Sequence, residues 1–427
     1  MLVASGTAIG AGGADRAAVE ALAARDAAAV FALYKDLHAH PELGYMETRT
    51  AARLAKEMRA LGFDVTEGVG KTGVVALYRN GAGPTVMVRT ELDALPKEEE
   101  TGLPYASRDQ QVWRFNGKET FVFHGCGHDT HMAGWVGTAK ALLALKDRWH
   151  GTLMFVGQPA EEGGGGARAM IADGLFTRFP KPDAAFAWHN TSEPFGLYYR
   201  PGIASSSVDS FQIRFHGRGG HGSSPDKAID PVLMAARFVV DVQTVISREK
   251  DPAAFGVLTV GSIDTGPLGN NIPDTAIVRG ATRAQDGTVR DKFLEGIERT
   301  ARAEAAMAGA PVPDVEIKRG YSMVVNDAAL TERTASVFRA AFGEQAKLMP
   351  APMTGSEDFS EYGLAGVPSL FFMVGAYEPE RVEAAKRAGE VLPVAHSPKY
   401  APAAEPTMRM GVVATTLAVI DAMQSVR

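Results

Sequence analysis

Two short stretches of the chain concentrate the residue types that hold metal ions and move protons. In His124-Gly-Cys126-Gly-His128-Asp129-Thr-His131 a thiol and three imidazoles fall within a few residues of one another. Glycines on both sides of Cys126 let the backbone bend, so that Cys126 and His128 can face one ion. The same stretch allows a second arrangement, because helical spacing would put His124, His128 and His131 on one side. The other stretch is Gln158-Pro-Ala-Glu161-Glu162-Gly163, directly after the apolar run 153–156. Adjacent carboxylates on an extended chain point in different directions, so one can bind metal while its neighbour carries a proton. His189 ends the run 184–188, and His396 stands far along the chain in Ala395-His396-Ser397-Pro398. Each of these two alone would more often be an ordinary core or surface histidine. Glu91 and Asp93 follow another strand-like run, as carboxylates that orient a ligand or a water would.

Other chemistries find less support. Gly217-Arg-Gly-Gly-His221-Gly resembles a dinucleotide loop, but Ser-Ser-Pro follows where a helix should begin. The glycine run 163–166 lacks the Gly-Lys-Ser/Thr of a phosphate loop and reads as a tight turn into a helix over 167–172. No Gly-x-Ser-x-Gly elbow occurs, which weakens a serine-hydrolase reading. Cys126 is the single cysteine, so an internal disulfide and a Cys-x-x-Cys motif are both excluded.

The elements that must position these groups show in the apolar spacing. Val19, Leu22, Val30, Leu33 and Leu37 predict one amphipathic helix; Leu54, Met58 and Leu61 predict another, ended by Gly62. Short β-branched runs at 74–78, 86–88, 153–156 and 184–188 alternate with helix-like segments such as 132–145, which argues for an α/β unit with a largely parallel sheet. From about Ser205 the texture changes to β-α-β-β-α-β, with strands at 208–215, 255–263, 275–283 and 315–318 and helices at 231–246 and 289–307. This order predicts a compact, ferredoxin-like α+β module inserted into the first domain. The expected division is therefore a discontinuous catalytic domain, 15–204 and 320–427, around an inserted domain, 205–319.

At 427 residues, with 45% hydrophobic and 22% charged, the chain is long enough for two to three domains and ordinary for a globular protein. Its 44 basic and 50 acidic residues leave a net charge of −6, which makes nucleic acid an unexpected partner. No stretch approaches the roughly 20 apolar residues of a membrane span. Residues 1–14 are small and apolar but carry no Lys or Arg before their centre, a poor signal peptide. A cytoplasmic protein is the expectation, with an exported form the alternative if this segment is the stub of a leader. The charge run 97–100 reads as a solvated loop.

Taken in order, these motifs resemble those of the dimetal aminoacylase and carboxypeptidase superfamily, in its amidohydrolase branch of hippurate and indoleacetyl-amino-acid hydrolases. The blocks that carry the resemblance span nearly the whole chain: His38-Ala-His-Pro-Glu-Leu-Gly44, Glu91-Leu-Asp-Ala-Leu-Pro96, 124–131, 158–166, 219–225, 270–273, Gly355-Ser-Glu-Asp-Phe359 and His396-Ser-Pro398. The resemblance implies that Cys126, His128, Glu162, His189 and His396 are ligands of two divalent ions (Zn, Mn, Co or Ni), and that Glu161 is the catalytic base. It implies that His221 and Asn270, from an inserted lid and dimerisation module, reach a neighbouring subunit's active site and polarise the scissile carbonyl. Arg283 stands where relatives carry an arginine that can hold a substrate carboxylate. The branch usually has Arg-Ala-Asp where this chain has Arg89-Thr90-Glu91, a longer side chain at one point of the site.

The expected activity is metal-dependent cleavage of the amide bond in N-acyl amino acids or small peptide-like amides, by a homodimer acting on a small molecule. Two alternatives stay open: a dipeptidase or carboxypeptidase with the same site, and a catalytically silent metal-binding scaffold. An unligated carboxylate beside a ligand argues against the silent scaffold.

Overall fold

The computed structural model of the chain describes residues 9–266 and 269–425. The alternative of a leader stub rests on residues 1–14, of which 1–8 lie outside this description. The chain divides into two compact units. One comprises the described residues up to Ala204, Val325–Ala351 and the described residues from Glu361 onward; the other comprises those of Ser205–Val324 together with Pro352–Ser360.

Among the described residues, the main sheet of the first unit has eight strands. Their order is Asp64–Val69, Gly73–Asn80, Gly151–Gln158, Thr85–Glu91, Ala184–Pro194, Ser369–Tyr377, Leu197–Tyr199 and Ala346–Leu348. The four middle strands, from Gly151–Gln158 to Ser369–Tyr377, run parallel. Every residue of Thr85–Glu91 and of Ser369–Tyr377 is buried, as strands covered on both faces must be. Outside them Gly73–Asn80 pairs antiparallel with Gly151–Gln158. Helices Ile9–Ala39, His128–Ala144 and Ala404–Ser425 pack on one another and share a core with the sheet through Leu33, Trp135, Phe155, Phe186 and Val413. Because the middle strands are parallel, their C-terminal ends lie along one edge, where open α/β sheets place their sites. Glu91 and Gln158 are register partners at that edge.

In the second unit, Gly256–Asp264, Thr275–Ala284, Asp209–His216 and Asp314–Arg319 form an antiparallel sheet in that spatial order. Phe211, Ile213 and Phe215 alternate into a core shared with Phe238 and Phe293 of helices Pro231–Asp241 and Gly287–Met307. Each helix starts where its sequence can cap it. Asp230 accepts from the backbone N–H of Val232 and Leu233 with Pro231 following, and Asp286 accepts from that of Val289. The helix expected over 231–246 is shorter: its α-helical part stops at Asp241, and a π-helical turn, Val245–Glu249, follows. Among the described residues no helix is long and apolar enough to cross a membrane.

Candidate metal centre

The ligand-type residues of the first unit converge at the C-terminal edge of its parallel strands. Gly127 takes a left-handed φ of 81° at the N-cap of the helix His128–Ala144, a conformation suited to glycine. That bend separates Cys126 from the helix and puts His128 in its first turn. Cys126 Sγ lies 3.3 Å from Nε2 of His189, on the strand Ala184–Pro194. Ligand atoms of Cys126, His128 and His189 lie within 4.8 Å of one another, and so do those of Cys126, Glu162 and His396. A further group, His128 with Glu161 and Glu162, meets the same distance. The sulfur is thus common to two groups. His396 reaches the site from the far end of the sequence: its backbone N–H donates to the Gly125 carbonyl at 2.8 Å, and its Nε2 stands 3.1 Å from Glu162 Oε1.

Hydrogen bonds select which imidazole nitrogens face the cluster. His128 Nδ1 donates to the Asp93 carbonyl at 2.7 Å, which leaves Nε2, once the ring is neutral, as the lone-pair nitrogen, buried and without a hydrogen-bond partner. His189 Nδ1 donates to the Asn190 carbonyl at 2.7 Å, so its Nε2 is likewise the lone-pair nitrogen and points to the sulfur. A neutral histidine nitrogen oriented this way beside a thiol and carboxylates is what a borderline-soft divalent ion requires.

The electrostatics agree. Burial alone would lower the His128 pKa, but Asp93, Glu91 and Glu162 hold it up at about 10, so a bound cation would take the place of the ring's second proton, on Nε2. Burial, with Glu162 and Glu161 close by, pushes the Cys126 thiol well up. A cation satisfies both demands, neutralising the carboxylates and stabilising the thiolate. The residues present therefore fit divalent metal.

His131 does not join them. Its Nδ1 donates to Glu91 Oε2 at 2.9 Å and its Nε2 accepts from the Asn190 backbone N–H at 2.9 Å, so both nitrogens are occupied. His124 precedes the helix, which removes the one-sided spacing of the three histidines. Glu91 is fully buried and ion-paired with Arg89 as well as bonded to His131.

The segment of Glu161 and Glu162 is held by buried carboxylates. Asp93 accepts the backbone N–H of Glu161 at 3.0 Å and of Glu162 at 2.9 Å, one on each oxygen. Glu47 accepts the N–H of Ala160 at 2.8 Å, where the chain takes a φ of 48°. Glu47 carried no signal in the sequence beyond its place near the His38–Gly44 block. Nor was the run 97–100 a wholly solvated loop: Glu99 is 5% exposed and bonds His38 Nε2 at 3.1 Å, while His38 Nδ1 donates to Asp129 at 2.6 Å.

The second unit brings His221 and Asn270 together. Gly222 donates to the Asn270 carbonyl at 3.2 Å, and His221 pairs with Asn271 in a short two-stranded ladder. His221 Nδ1 accepts from the Ser223 hydroxyl at 2.7 Å and from its N–H at 3.1 Å. That puts the ring proton on Nε2, a donor on an exposed side chain. Arg283, on Thr275–Ala284, is half-buried and donates to Ser356 Oγ at 2.8 Å.

Residues 87–390 match the model of peptidase family M20/M25/M40. The chain is 37% identical to a hippurate hydrolase of Campylobacter jejuni over 76% of its own length and 82% of that protein's. It is 32% identical to thermostable carboxypeptidase 2 of Saccharolobus solfataricus, over 92% of this chain and 94% of that one. A Bacillus subtilis structure described as a dinuclear metal binding peptidase from the M20 family superposes with a TM-score of 0.74 at 25% identity, covering 95% of this chain and 99% of that one. By sequence, by fold and by the donor set at its sheet edge, this chain belongs to peptidase family M20/M25/M40 and is a metal-dependent hydrolase of amide bonds.

Proposed function

We propose that the protein cleaves N-acyl amino acids or small peptide-like amides, using two divalent ions held by Cys126, His128, Glu162, His189 and His396. The observation that carries this reading is the buried, partnerless Nε2 of His128 at the meeting point of a thiol, a second lone-pair nitrogen and two carboxylates. When bound, such ions lower the pKa of water and stabilise negative charge on a carbonyl oxygen.

The chain's own groups do the rest. Glu161 takes a proton from the attacking water as its oxygen bonds to the amide carbon. When the carbon–nitrogen bond breaks, Glu161 returns that proton to the departing amine. Asp93 and Glu47 fix the backbone of this segment, so the carboxylate is placed before substrate arrives. His221 Nε2–H and the Asn270 amide are the donors for the developing oxyanion, each worth roughly 3–4 kcal/mol in such a role. Arg283 holds the substrate carboxylate.

In this proposal the second unit is a lid and dimerisation module, and its donors serve the partner subunit's site. The strand Gly256–Asp264 supports a homodimer: it is an edge of its sheet among the described residues, with Val257 and Ile263 exposed.

The hippurate hydrolase similarity favours an N-acyl amino acid as substrate, and the carboxypeptidase similarity keeps a free peptide C-terminus as the second reading. Turnover of N-benzoyl- and N-acetyl-amino acids against unmodified dipeptides separates them. Faster cleavage of the acyl series supports the first; cleavage of dipeptides alone refutes it.

A further inference from the structure

The groups that hold metal come from four separate stretches of sequence, yet they must meet within a fraction of an ångström. Behind them runs a buried chain of polar contacts with Asn190 at its centre. Asn190 is 1% exposed, and its side-chain amide nitrogen faces the carbonyls of Cys126 at 3.3 Å and Gly127 at 3.2 Å, Thr130 Oγ1 at 3.2 Å and His131 Nε2 at 2.8 Å. Its backbone N–H adds a second bond to His131 Nε2. Its side-chain oxygen accepts from the hydroxyl of Tyr400, which is 1% exposed.

These partners are not arbitrary. Cys126 is proposed as a ligand, and Gly127 links it to His128; His189 is the residue before Asn190; Tyr400 follows His396 by one turn, its N–H donating to the Ser397 carbonyl at 3.0 Å. An atom at the Cβ position of Gly127 would lie 2.1 Å from the Asn190 amide nitrogen, so the Gly127 backbone has closed on this side chain. Through His131 the chain continues to Glu91, Arg89 and Gln158, on the strand that leads to Glu162. One asparagine therefore touches, or stands next to, three of the four segments that supply a ligand, and it reaches the fourth through His131, Glu91, Arg89 and Gln158.

We propose that Asn190, locked by Tyr400, is the positioning residue that sets the spacing of the metal-binding side chains. This inference rests on the metal-centre reading above. Asn190 touches no reacting atom; it acts by fixing the carbonyl of Cys126, the start of the His128 helix and the turn after His396. Outer partners of this kind change metal affinity by about 10–100-fold when removed.

The test uses the full-length protein and Co²⁺ alone, with affinity read by chelator competition and thiolate coordination by the cobalt absorption spectrum. Tyr400→Phe deletes one oxygen, and Asn190→Asp exchanges the amide donor for an acceptor at constant shape. Tyr377→Phe is the control, since it removes a buried neighbouring hydroxyl that donates to Pro393. His128→Ala tests the metal centre itself. The inference requires Tyr400→Phe and Asn190→Asp to bind Co²⁺ about 10–100-fold more weakly with a changed spectrum, and Tyr377→Phe to match wild type. Tyr400→Phe keeps the test open if Asn190→Asp does not fold. Affinity within twofold of wild type in Tyr400→Phe, or an equal loss in Tyr377→Phe, overturns the inference and leaves the metal centre standing. Unchanged binding by His128→Ala overturns the metal-centre reading itself.

Discussion

Replacing Asp93 by Asn tests how strongly the site depends on its supporting carboxylates. The side chain is 1% exposed, and each oxygen accepts one backbone N–H, from Glu161 at 3.0 Å and Glu162 at 2.9 Å. An asparagine retains one acceptor and turns a donor toward the other N–H. One charge-assisted bond, about 1.5–3 kcal/mol, is lost, and a buried donor is left unsatisfied at about 1–3 kcal/mol. The sum, about 2.5–6 kcal/mol, is large against the roughly 5–15 kcal/mol of a typical domain. The loop relieves part of that cost by moving, and it carries both the proposed base and a proposed ligand. A displacement near 1 Å costs on the order of a hundredfold in rate. We therefore expect Asp93→Asn at saturating metal to lose about a hundredfold in kcat and to unfold at lower urea. Activity and urea midpoint both close to wild type would show that the two hydrogen bonds do not set the loop.

Glu161→Gln should retain metal, measured by elemental analysis, while kcat on an N-acyl amino acid falls about 10²–10⁴-fold; near-normal turnover with metal bound excludes Glu161 as the base. His38 gives a pH signature. Burial works to lower its pKa, but its hydrogen bonds to Asp129 and Glu99 prevail and hold it at about 9, above its ordinary 6.5. Its stabilising contribution is thus complete below about pH 6.5 and is lost as pH rises through about 9. Urea midpoints of wild type and His38→Gln should differ most near pH 6 and converge near pH 10; a gap that widens with pH contradicts the assignment.

Much of this fold was legible because burial on both faces leaves an unmistakable sequence. The runs around Val88, Phe155 and Phe186 are continuous apolar strands, and the alternation Phe211, Ile213, Phe215 marks a half-covered one. Cys126, His128 and the Glu161-Glu162 pair were legible because glycines and strand ends expose chemistry that a core would exclude. Less legible was whatever depends on partners distant in sequence. The strands Gln110–Trp113 and Lys118–Phe121 form a hairpin with no buried residue, so no apolar pattern announces them. Spacing left His131 open as a ligand, and only Glu91 and Asn190, from two other strands, occupy its nitrogens. Glu99 reads as part of a charged loop until His38, from the first helix, is seen beside it. Asn190 and Tyr400 are single residues in ordinary contexts, and their importance lies in the bonds between them.

In the proposed mechanism, amide cleavage depends on ions gathered around Cys126. Metal content and turnover of an N-acyl amino acid, measured on the same sample before demetallation, after it, and after adding back Mn²⁺ or Zn²⁺, test it most directly. The active protein should hold two equivalents of metal per chain, lose turnover with the metal and regain it on its return. Undiminished hydrolysis by fully demetallated protein would contradict it.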